Sequence, residues 1–243
     1  MANGRRTALK DMDIVYVCKV SPSNEELRYS LRSLKNIPHR KVWIYGYKQE
    51  WIQNVEYVPI KQDGQTKWDN ASKQIKAICE NDNISEDFIL FNDDFFVCRK
   101  INELPAFFDR TLSARLGDFL QKYKWHYWSR YMRRLKVAKE TLQKNGYTSY
   151  NFELHYPMVF NRKKLLGVYE NYSNIGAKRS IYGNMYSIQK VQSDDCKIYT
   201  LLDAPRYDAT FLSTNDGSFE RGQVGIFIRN KFSKPCEFEK EEK

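Results

Sequence analysis

Two adjacent carboxylates, Asp93 and Asp94, are the side chains of this sequence with the clearest capacity for chemistry. They follow the apolar run Phe88-Ile-Leu-Phe91 and precede Phe95 and Phe96, and such surroundings disfavour charged groups that have no compensating partner. A Mg²⁺ or Mn²⁺ ion on a nucleotide diphosphate would compensate them, because one or two carboxylates, phosphate oxygens and water hold such ions. The alternative is a turn whose aspartates cap backbone N–H groups. The apolar flanks favour a site.

Two further side chains have the chemistry of a general base, His155 and Asp216. His155 lies in the segment Glu-Leu-His-Tyr-Pro, where a lone histidine is more often a packed, hydrogen-bonded core residue. Asp216 lies in an Asn-Asp-Gly-Ser segment that is typical of a turn. The remaining histidines, His39 beside a proline and His126 in a basic segment, fit structural or solvated positions better.

The acidic pair needs a scaffold, and the apolar pattern predicts alternating strands and helices. Strands are expected at residues 13–18, 41–46, 55–59 and 88–91. A helix capped by Ser23 or Asn24 follows the first strand, and a second helix opens at Asp69 or Asn70. This order is typical of an α/β domain with a largely parallel sheet. Ligands of such sheets bind beyond the carboxyl ends of the strands, where the acidic pair lies.

Fewer signals mark the second half of the chain. A helix is expected at residues 162–172 and a short strand at 197–202. The charged segment 234–243 is expected to be a frayed tail.

The composition narrows the possible partners and surroundings. The 243-residue chain has 40 Lys and Arg against 30 Asp and Glu, and its net charge of +10 favours anionic partners such as nucleic acid, nucleotide phosphates or a membrane surface.

No apolar run approaches the ~20 residues that cross a bilayer, and the basic N-terminus lacks the apolar core of a signal peptide. Five scattered cysteines without a CxxC pair argue against structural zinc and suit a reduced cytoplasmic protein.

Much of the positive charge lies in residues 111–147, where nine Lys and Arg against two acidic residues give +7 of the net +10. Apolar spacing predicts two helices here, ended by Asn145-Gly146. The basic face is either merely solvated or an acceptor platform, with cations on phosphates and interleaved aromatics against bases or sugars. The candidate DNA-binding residues are Lys122, Lys124, Arg130, Arg133 and Arg134.

A set of motifs in fixed order resembles the Stealth family of sugar and sugar-phosphate transferases, and also the glycosyltransferase-like proteins of many bacteriophages. The motifs are Asn24-Glu-Glu-Leu-Arg-Tyr-Ser-Leu-Arg-Ser-Leu34, Phe88-Ile-Leu-Phe-Asn-Asp-Asp-Phe-Phe96, His155-Tyr-Pro157 and Arg179-Ser-Ile-Tyr-Gly-Asn184. The resemblance covers residues 11–230 and is weakest over the basic helices. The first Stealth block usually has an acidic residue soon after its first strand, where this sequence has Cys18-Lys19-Val20.

The resemblance implies a GT-A-like, Rossmann-type α/β fold, with a mixed, mostly parallel sheet flanked by helices and a basic helical insertion. It implies a nucleotide-sugar donor, expected to be a UDP-sugar, with Mn²⁺ or Mg²⁺ held by Asp93 and Asp94. It also implies catalytic roles for His155, Asp216 and Asp94. Donor binding is assigned to Lys19, Arg28, Lys67, Asn70, Asn92, Arg179 and Asn184. Lys19, at the position that departs from the family, suits a phosphate as a point charge.

These observations predict one glycosyltransferase domain over residues 1–243. Its parts are a nucleotide-sugar core at 11–110, the basic insertion at 111–147, an acceptor and catalytic part at 148–233 and the tail. The expected reaction is metal-dependent hexose transfer to a hydroxyl, with a 5-hydroxymethylated base of phage DNA as the expected acceptor, in the host cytoplasm if the protein is phage-encoded. The alternatives are sugar-1-phosphate transfer, a cell-surface polysaccharide acceptor, or a non-catalytic basic DNA-binding protein.

Overall fold

A computed structural model describes residues 7–21, 23–122, 129–173 and 175–241, so Lys124 and His126 lie outside the described residues, as does the side chain of Lys122. The elements in chain order are β1 Asp13–Cys18, α1 Glu25–Ser33, β2 Val42–Gly46, β3 Glu56–Pro59, α2 Lys67–Glu80, β4 Asp87–Phe91, β5 Phe95–Val97, β6 Ala106–Phe108, α3 Leu112–Lys122, α4 Arg130–Lys144, β7 Met158–Asn161, α5 Arg162–Asn171, α6 Lys178–Met185, β8 Lys190–Gln192, β9 Phe211–Ser213, α7 Asp216–Arg221 and α8 Gln223–Lys231.

These elements divide into two compact units. The first comprises Met1–Leu104, His155–Arg162 and Cys196–Lys243, and the second comprises Pro105–Leu154 and Lys163–Asp195. The acidic pair and the main sheet belong to the first unit, and the basic helices belong to the second. The organisation of the chain as one domain with a central insertion stays a prediction.

The first unit is built on a five-stranded sheet of order β3-β2-β1-β4-β7. The strands β1, β2, β3 and β4 run parallel to their neighbours, whereas β7 is antiparallel to β4. Helix α1 connects β1 to β2, and helix α2 connects β3 to β4. The predicted α/β class, with a mixed and mostly parallel sheet flanked by helices, is confirmed.

The central strands form because their apolar runs are buried on both faces, as parallel strands require. Ile14 and Val15 of β1 are both fully buried, and so are the neighbouring Phe88 and Ile89 of β4. Where β1 and β2 end, Gly46 has a φ of +102°, and a Cβ there would lie 2.2 Å from the carbonyl oxygen of Cys18. Glycine is therefore required at this end of β2.

Two local predictions are wrong. Helix α2 begins at Lys67 and not at Asp69 or Asn70, because the Thr66 hydroxyl caps it by accepting from the Asp69 N–H at 3.3 Å. Residues 197–202 do not form a strand. Lys197 forms a single parallel bridge with Ser213, and the pairing goes no further because Ser213 is the last residue of β9.

The segment expected to fray is anchored as far as the structure describes it. Glu239 is 7% exposed, and its two carboxylate oxygens accept from Nε and Nη2 of Arg32 on α1 at 2.6 and 2.7 Å. It also bridges Ile52, while the Lys240 N–H donates to the Trp51 carbonyl at 2.8 Å. A charge-assisted bidentate pair of this kind holds the segment in place.

The second unit contains the two predicted basic helices, α3 and α4. Helix α4 buries an apolar stripe of Met132, Leu135, Ala138 and Leu142 and ends at Lys144, with Asn145 as its C-cap, as predicted. Strands β6 and β8 pair in parallel in the same unit.

Among the described residues, none of the helices is both long enough and apolar enough to cross a membrane. The five cysteines, all within those residues, form no disulfide with one another.

We expect Glu239→Gln to lower the free energy of unfolding by about 3 kcal/mol, because the substitution leaves the buried Arg32 guanidinium without its counter-charge. Urea denaturation measures this loss. Glu237→Gln, at an exposed position of the same segment, is the matched control and should change stability by less than about 0.5 kcal/mol. Equal stability of the two variants would contradict the structural role given to Glu239.

Candidate functional site

The acidic pair lies at the point where the strand order of the sheet reverses, between β1 and β4. From β1 the chain moves outward through β2 and β3, and it then returns to place β4 on the other side of β1. The connections that leave the carboxyl ends of β1 and β4 therefore diverge, and such a switch point is where open α/β sheets bind ligands. Here β1 leads to Lys19 and Asn24, and β4 leads directly to Asp93 and Asp94.

The connection after β1 is fixed by the side chain of Gln62. Its Nε2 donates to the Cys18 carbonyl at 2.8 Å, and its Oε1 accepts from the Val20 N–H at 3.3 Å. Gln49 Nε2 donates to the Ser21 carbonyl at 2.8 Å. These amides hold the backbone around Lys19 while leaving its side chain exposed.

Asp93 is held by the residue that caps α1. Asn24 Nδ2 donates to Asp93 Oδ2 at 2.8 Å, while Asn24 Oδ1 accepts from the Leu27 N–H at 3.1 Å. Asn24 has a φ of 23°, in a region that asparagine tolerates better than most residues. Burial, together with the neighbouring charge of Asp94, raises the pKa of Asp93 above its usual range. The two neighbouring carboxylates therefore repel each other.

Asp94 has a different partner, the ammonium group of Lys197. Lys197 Nζ lies 2.8 Å from Asp94 Oδ2, and the Ser213 hydroxyl donates to the same oxygen at 3.3 Å. The side chains of Asp94 and Lys197 are only 14% and 13% exposed. The other oxygen, Asp94 Oδ1, is buried and has no hydrogen-bond partner among the described residues.

Two more carboxylates lie within electrostatic range, Glu26 in the first turn of α1 and Asp216 at the start of α7. The Thr214 hydroxyl donates to Glu26 Oε1 at 2.5 Å. Burial, with the charges of Asp94, Asp93 and Asp216, raises the pKa of Glu26 to about 7. We call Glu26, Asp93, Asp94 and Asp216 the acidic cluster.

Asp216 is a helix residue and not the turn residue that its local sequence suggests. Asn215 caps α7 by accepting from the Ser218 N–H at 2.8 Å, which leaves Asp216 in the first turn. Its carboxylate lies 3.7 Å from Lys19 Nζ, and both side chains are largely exposed. A weak, solvated ion pair of this kind leaves both groups open to a ligand.

His155 contacts the segment that contains Lys197. Its ring meets the ring of Tyr199 edge-on at a centroid distance of 6.2 Å, and Lys197 Nζ lies 5.8 Å from the centroid of the same tyrosine. The His155 carbonyl accepts from the Cys196 thiol at 2.9 Å. The His155 imidazole and the Lys197 ammonium group therefore both lie beside the Tyr199 ring.

The donor set suits a divalent cation that arrives on a phosphate. In the described part of the chain, no three His, Cys, Asp or Glu side chains are arranged to hold a metal ion by themselves. A cation carried by a diphosphate needs only one or two protein carboxylates. The orphaned Oδ1 of Asp94 and the mutually repelling charges of the doublet fit this requirement, so Asp93 and Asp94 are the residues that would hold it.

Several predicted donor-binding residues of the first unit lie elsewhere or already have partners. Arg28 stacks on Trp51 at 4.6 Å and lies 3.4 Å from Glu239, so the structure does not group it with the acidic cluster. Asn70 Oδ1 accepts from the Gly64 N–H at 2.7 Å, and Lys67 Nζ lies 5.2 Å from the Trp68 ring. Asn92, next to Asp93, is exposed.

Arg179 and Asn184 belong to helix α6 of the second unit, where both have structural partners. Arg179 Nη1 donates to the Leu154 carbonyl at 2.5 Å. Asn184 is 3% exposed, and its amide both accepts from the Tyr150 N–H and donates to the Tyr150 carbonyl at 2.9 Å. The geometry of Asn184 is that of a residue that fixes the backbone.

Four residues of the site have contacts that the sequence reasoning did not predict, namely Asn24, Glu26, Lys197 and Thr214. Asn24 stood out only as a possible helix cap, and Glu26 only as a member of the motif that begins at Asn24. Lys197 marked the start of a predicted strand, 103 positions from Asp94. Nothing in the local sequence around Lys197 indicates that its ammonium group is the counter-charge of Asp94.

Comparisons with known proteins give little further information. No protein-family model matches the sequence, and no curated protein sequence matches it. The resemblance to the Stealth and phage proteins therefore depends on the motifs alone. Among solved structures, the chain is similar to mouse xyloside xylosyltransferase 1 in its apo form, with a TM-score of 0.38 and 10% identity, over 94% of this chain and 96% of that chain. A likeness of this strength decides neither activity nor substrate.

We expect Glu26→Gln to stabilise the metal-free protein at pH 8 by up to about 3 kcal/mol. The folded pKa of Glu26 lies above the unfolded value of 4.5, so its favourable contribution is full below pH 4.5 and is lost as the pH rises through about 7. Urea denaturation in EDTA between pH 4 and pH 8 measures the difference, which should vanish at the acid end. Glu25→Gln, at the neighbouring and more exposed position, should show no such gain. A pH-independent difference for Glu26→Gln would refute this account.

Proposed function

We propose that this protein is a glycosyltransferase that moves a hexose from a nucleotide-sugar, expected to be a UDP-sugar, to a hydroxyl acceptor. The observation that carries the proposal is the convergence of Asp93, Asp94, Glu26 and Asp216 at the switch point of a mostly parallel sheet. Such a place suits a phosphorylated ligand, and an acidic cluster there suits one that brings a cation. The Stealth-like motifs point to the same class of reaction.

In this proposal the acidic doublet holds the donor by its diphosphate. Asp93 and Asp94 would hold Mn²⁺ or Mg²⁺, which when bound neutralises the charge that develops on the departing diphosphate. Asn24 orients Asp93 through its 2.8 Å hydrogen bond. Lys19, exposed at the end of β1, reaches a phosphate oxygen as a point charge.

Three side chains are our candidates for the base that takes the proton of the acceptor hydroxyl. His155 and Asp216 have the chemistry predicted from the sequence, and the structure adds Glu26. A base works best when its pKa lies near the working pH, and in the metal-free protein burial with like charges raises the pKa of Glu26 to about 7. Thr214 fixes the Glu26 carboxylate by a hydrogen bond of 2.5 Å.

DNA that carries a hydroxymethylated base is the acceptor we propose. Support comes from the net charge of +10 and from α4, whose Arg130 and Arg133 are exposed. Arg134 is partly engaged, since its Nη2 donates to the Gly176 carbonyl at 3.1 Å. An enzyme acting on such a base must reach its hydroxyl in the groove or flip the nucleotide out.

We expect Asp94→Asn to lower Mn²⁺-dependent transfer from UDP-glucose, or its hydrolysis, by about 100-fold or more, since the charge that faces the cation is lost. Asp11→Asn is the matched control, because Asp11 is exposed next to the opposite, amino end of β1, and it should keep the wild-type rate.

Chromatography of the released nucleotide measures both rates. UDP as the product supports sugar transfer, whereas UMP would assign sugar-1-phosphate transfer. A panel of nucleotide-sugars that yields neither product, with any acceptor class, would contradict the proposed activity.

We expect the double variant Arg130→Ser/Arg133→Ser to weaken DNA binding and to lower the slope of log K against log salt by roughly 2, because each lost phosphate contact removes about one unit. Fluorescence anisotropy between 50 and 200 mM salt gives the slope. Lys10→Ser/Lys100→Ser, which removes two exposed cations of the first unit, should leave the slope nearly unchanged. Failure of the wild type to bind DNA at low salt would eliminate this acceptor.

A further inference from the structure

We propose that Lys197 is an exchangeable counter-ion, which holds Asp94 in the donor-free protein and passes to the donor's diphosphate when the cation binds. This inference rests on the proposed function, because it concerns the same carboxylate. It assigns a positioning role to a residue that neither the sequence motifs nor the comparisons single out.

The two carboxylate oxygens of Asp94 differ, because one accepts from a lysine ammonium group and a hydroxyl, and the other has no partner among the described residues. Oδ2 accepts from Lys197 at 2.8 Å and from Ser213 at 3.3 Å. Oδ1 is buried without a partner among the described residues. A cation that binds Asp94 must therefore displace the ammonium group or share the carboxylate with it.

Sharing is unfavourable because two positive charges would then lie a few ångströms apart in a poorly solvated place. The Asp94 and Lys197 side chains are only 14% and 13% exposed, so solvent screens such a repulsion weakly. Displacement is easier, since the lysine side chain is long and has several rotatable bonds. The ion pair between Asp94 and Lys197 thus predicts competition between the ammonium group and the cation.

The displaced ammonium group has a destination in the same ligand. A diphosphate adds negative charge beside Asp94, and an ammonium group is a point charge that suits a phosphate oxygen. Before the donor arrives, Lys197 protects the doublet from the cost of an uncompensated charge. After it arrives, Lys197 lies near the charge that the leaving group acquires. The same residue therefore opposes the bare cation and favours the cation–diphosphate pair.

The test measures Mn²⁺ binding by electron paramagnetic resonance of the free ion, without nucleotide and then with UDP. Removing the competitor in Lys197→Met should tighten Mn²⁺ binding without nucleotide by about tenfold. In saturating Mn²⁺, the same substitution should weaken UDP binding, measured by calorimetry, by a similar factor. Lys197→Arg keeps the charge and should behave like the wild type in both measurements.

Lys100→Met is the matched control for a general effect of net charge, because Lys100 is exposed and makes no ion pair with Asp94 in the described structure. Its Mn²⁺ affinity should change less than about twofold. If Lys197→Met does not fold, Lys197→Gln, which keeps a hydrogen-bond donor for Asp94, takes its place with the same expected result.

The outcomes separate this inference from the proposed function. Wild-type binding of Mn²⁺ and UDP with no tighter Mn²⁺ binding by Lys197→Met would overturn the inference alone. An equal gain in Lys100→Met would also overturn it, since the effect would then be one of net charge. Absence of Mn²⁺ and UDP binding in every form would overturn both the inference and the proposed function.

Discussion

Two like charges at the end of a buried strand determine which residues contact the carboxyl edge of the sheet in the first unit. Asp93 and Asp94 cannot both stay ionised beside apolar neighbours unless other groups stabilise them, and the structure supplies a different partner for each. An asparagine amide takes Asp93, and a lysine ammonium takes Asp94. Because these partners come from residues 24 and 197, the doublet draws together connections that lie far apart in the sequence. The loops that contain Asn24 and Lys197 therefore meet at the carboxyl edge of the sheet, where each supplies a partner to one carboxylate.

Helix α1 connects the acidic cluster to the C-terminal segment of the first unit. Its N-terminus begins at Asn24, which serves the helix and Asp93 at once, and its first turn carries Glu26. Further along, Arg32 grips Glu239. The helix is therefore attached to the site at one end and to the C-terminal segment at the other. Any motion of α1 must alter the surroundings of the acidic cluster.

The sequence predicts those parts of the fold that are governed by local pattern. Strands β1 and β4 are recognisable because burial on both faces demands an unbroken apolar run. The start of α2 is harder, since Thr66, Asp69 and Asn70 are all able to cap a helix. The choice among them depends on which side chain the preceding loop engages, and Asn70 is taken by the Gly64 N–H.

The candidate site is predictable only in its acidic half. The doublet is visible as adjacent letters, whereas its neutralisation by Lys197 depends on a contact across 103 positions. The proximity of Thr214 to Glu26 spans 188 positions and has no local signature. The structure gives Asn184, a residue of one of the family-like motifs, hydrogen bonds to the backbone of Tyr150, and its donor-binding role stays a prediction. Such outcomes depend on packing, which composition and spacing do not encode.

The Arg32–Glu239 pair also bears on the time course of folding. Its two partners are 207 positions apart, so an early-synthesised helix carries a guanidinium group whose counter-charge leaves the ribosome much later. At 5–20 residues per second, roughly ten to forty seconds separate the two. During that interval Arg32 lacks the carboxylate that pairs with it in the folded protein, so this contact of the first unit forms only after Glu239 has been synthesised.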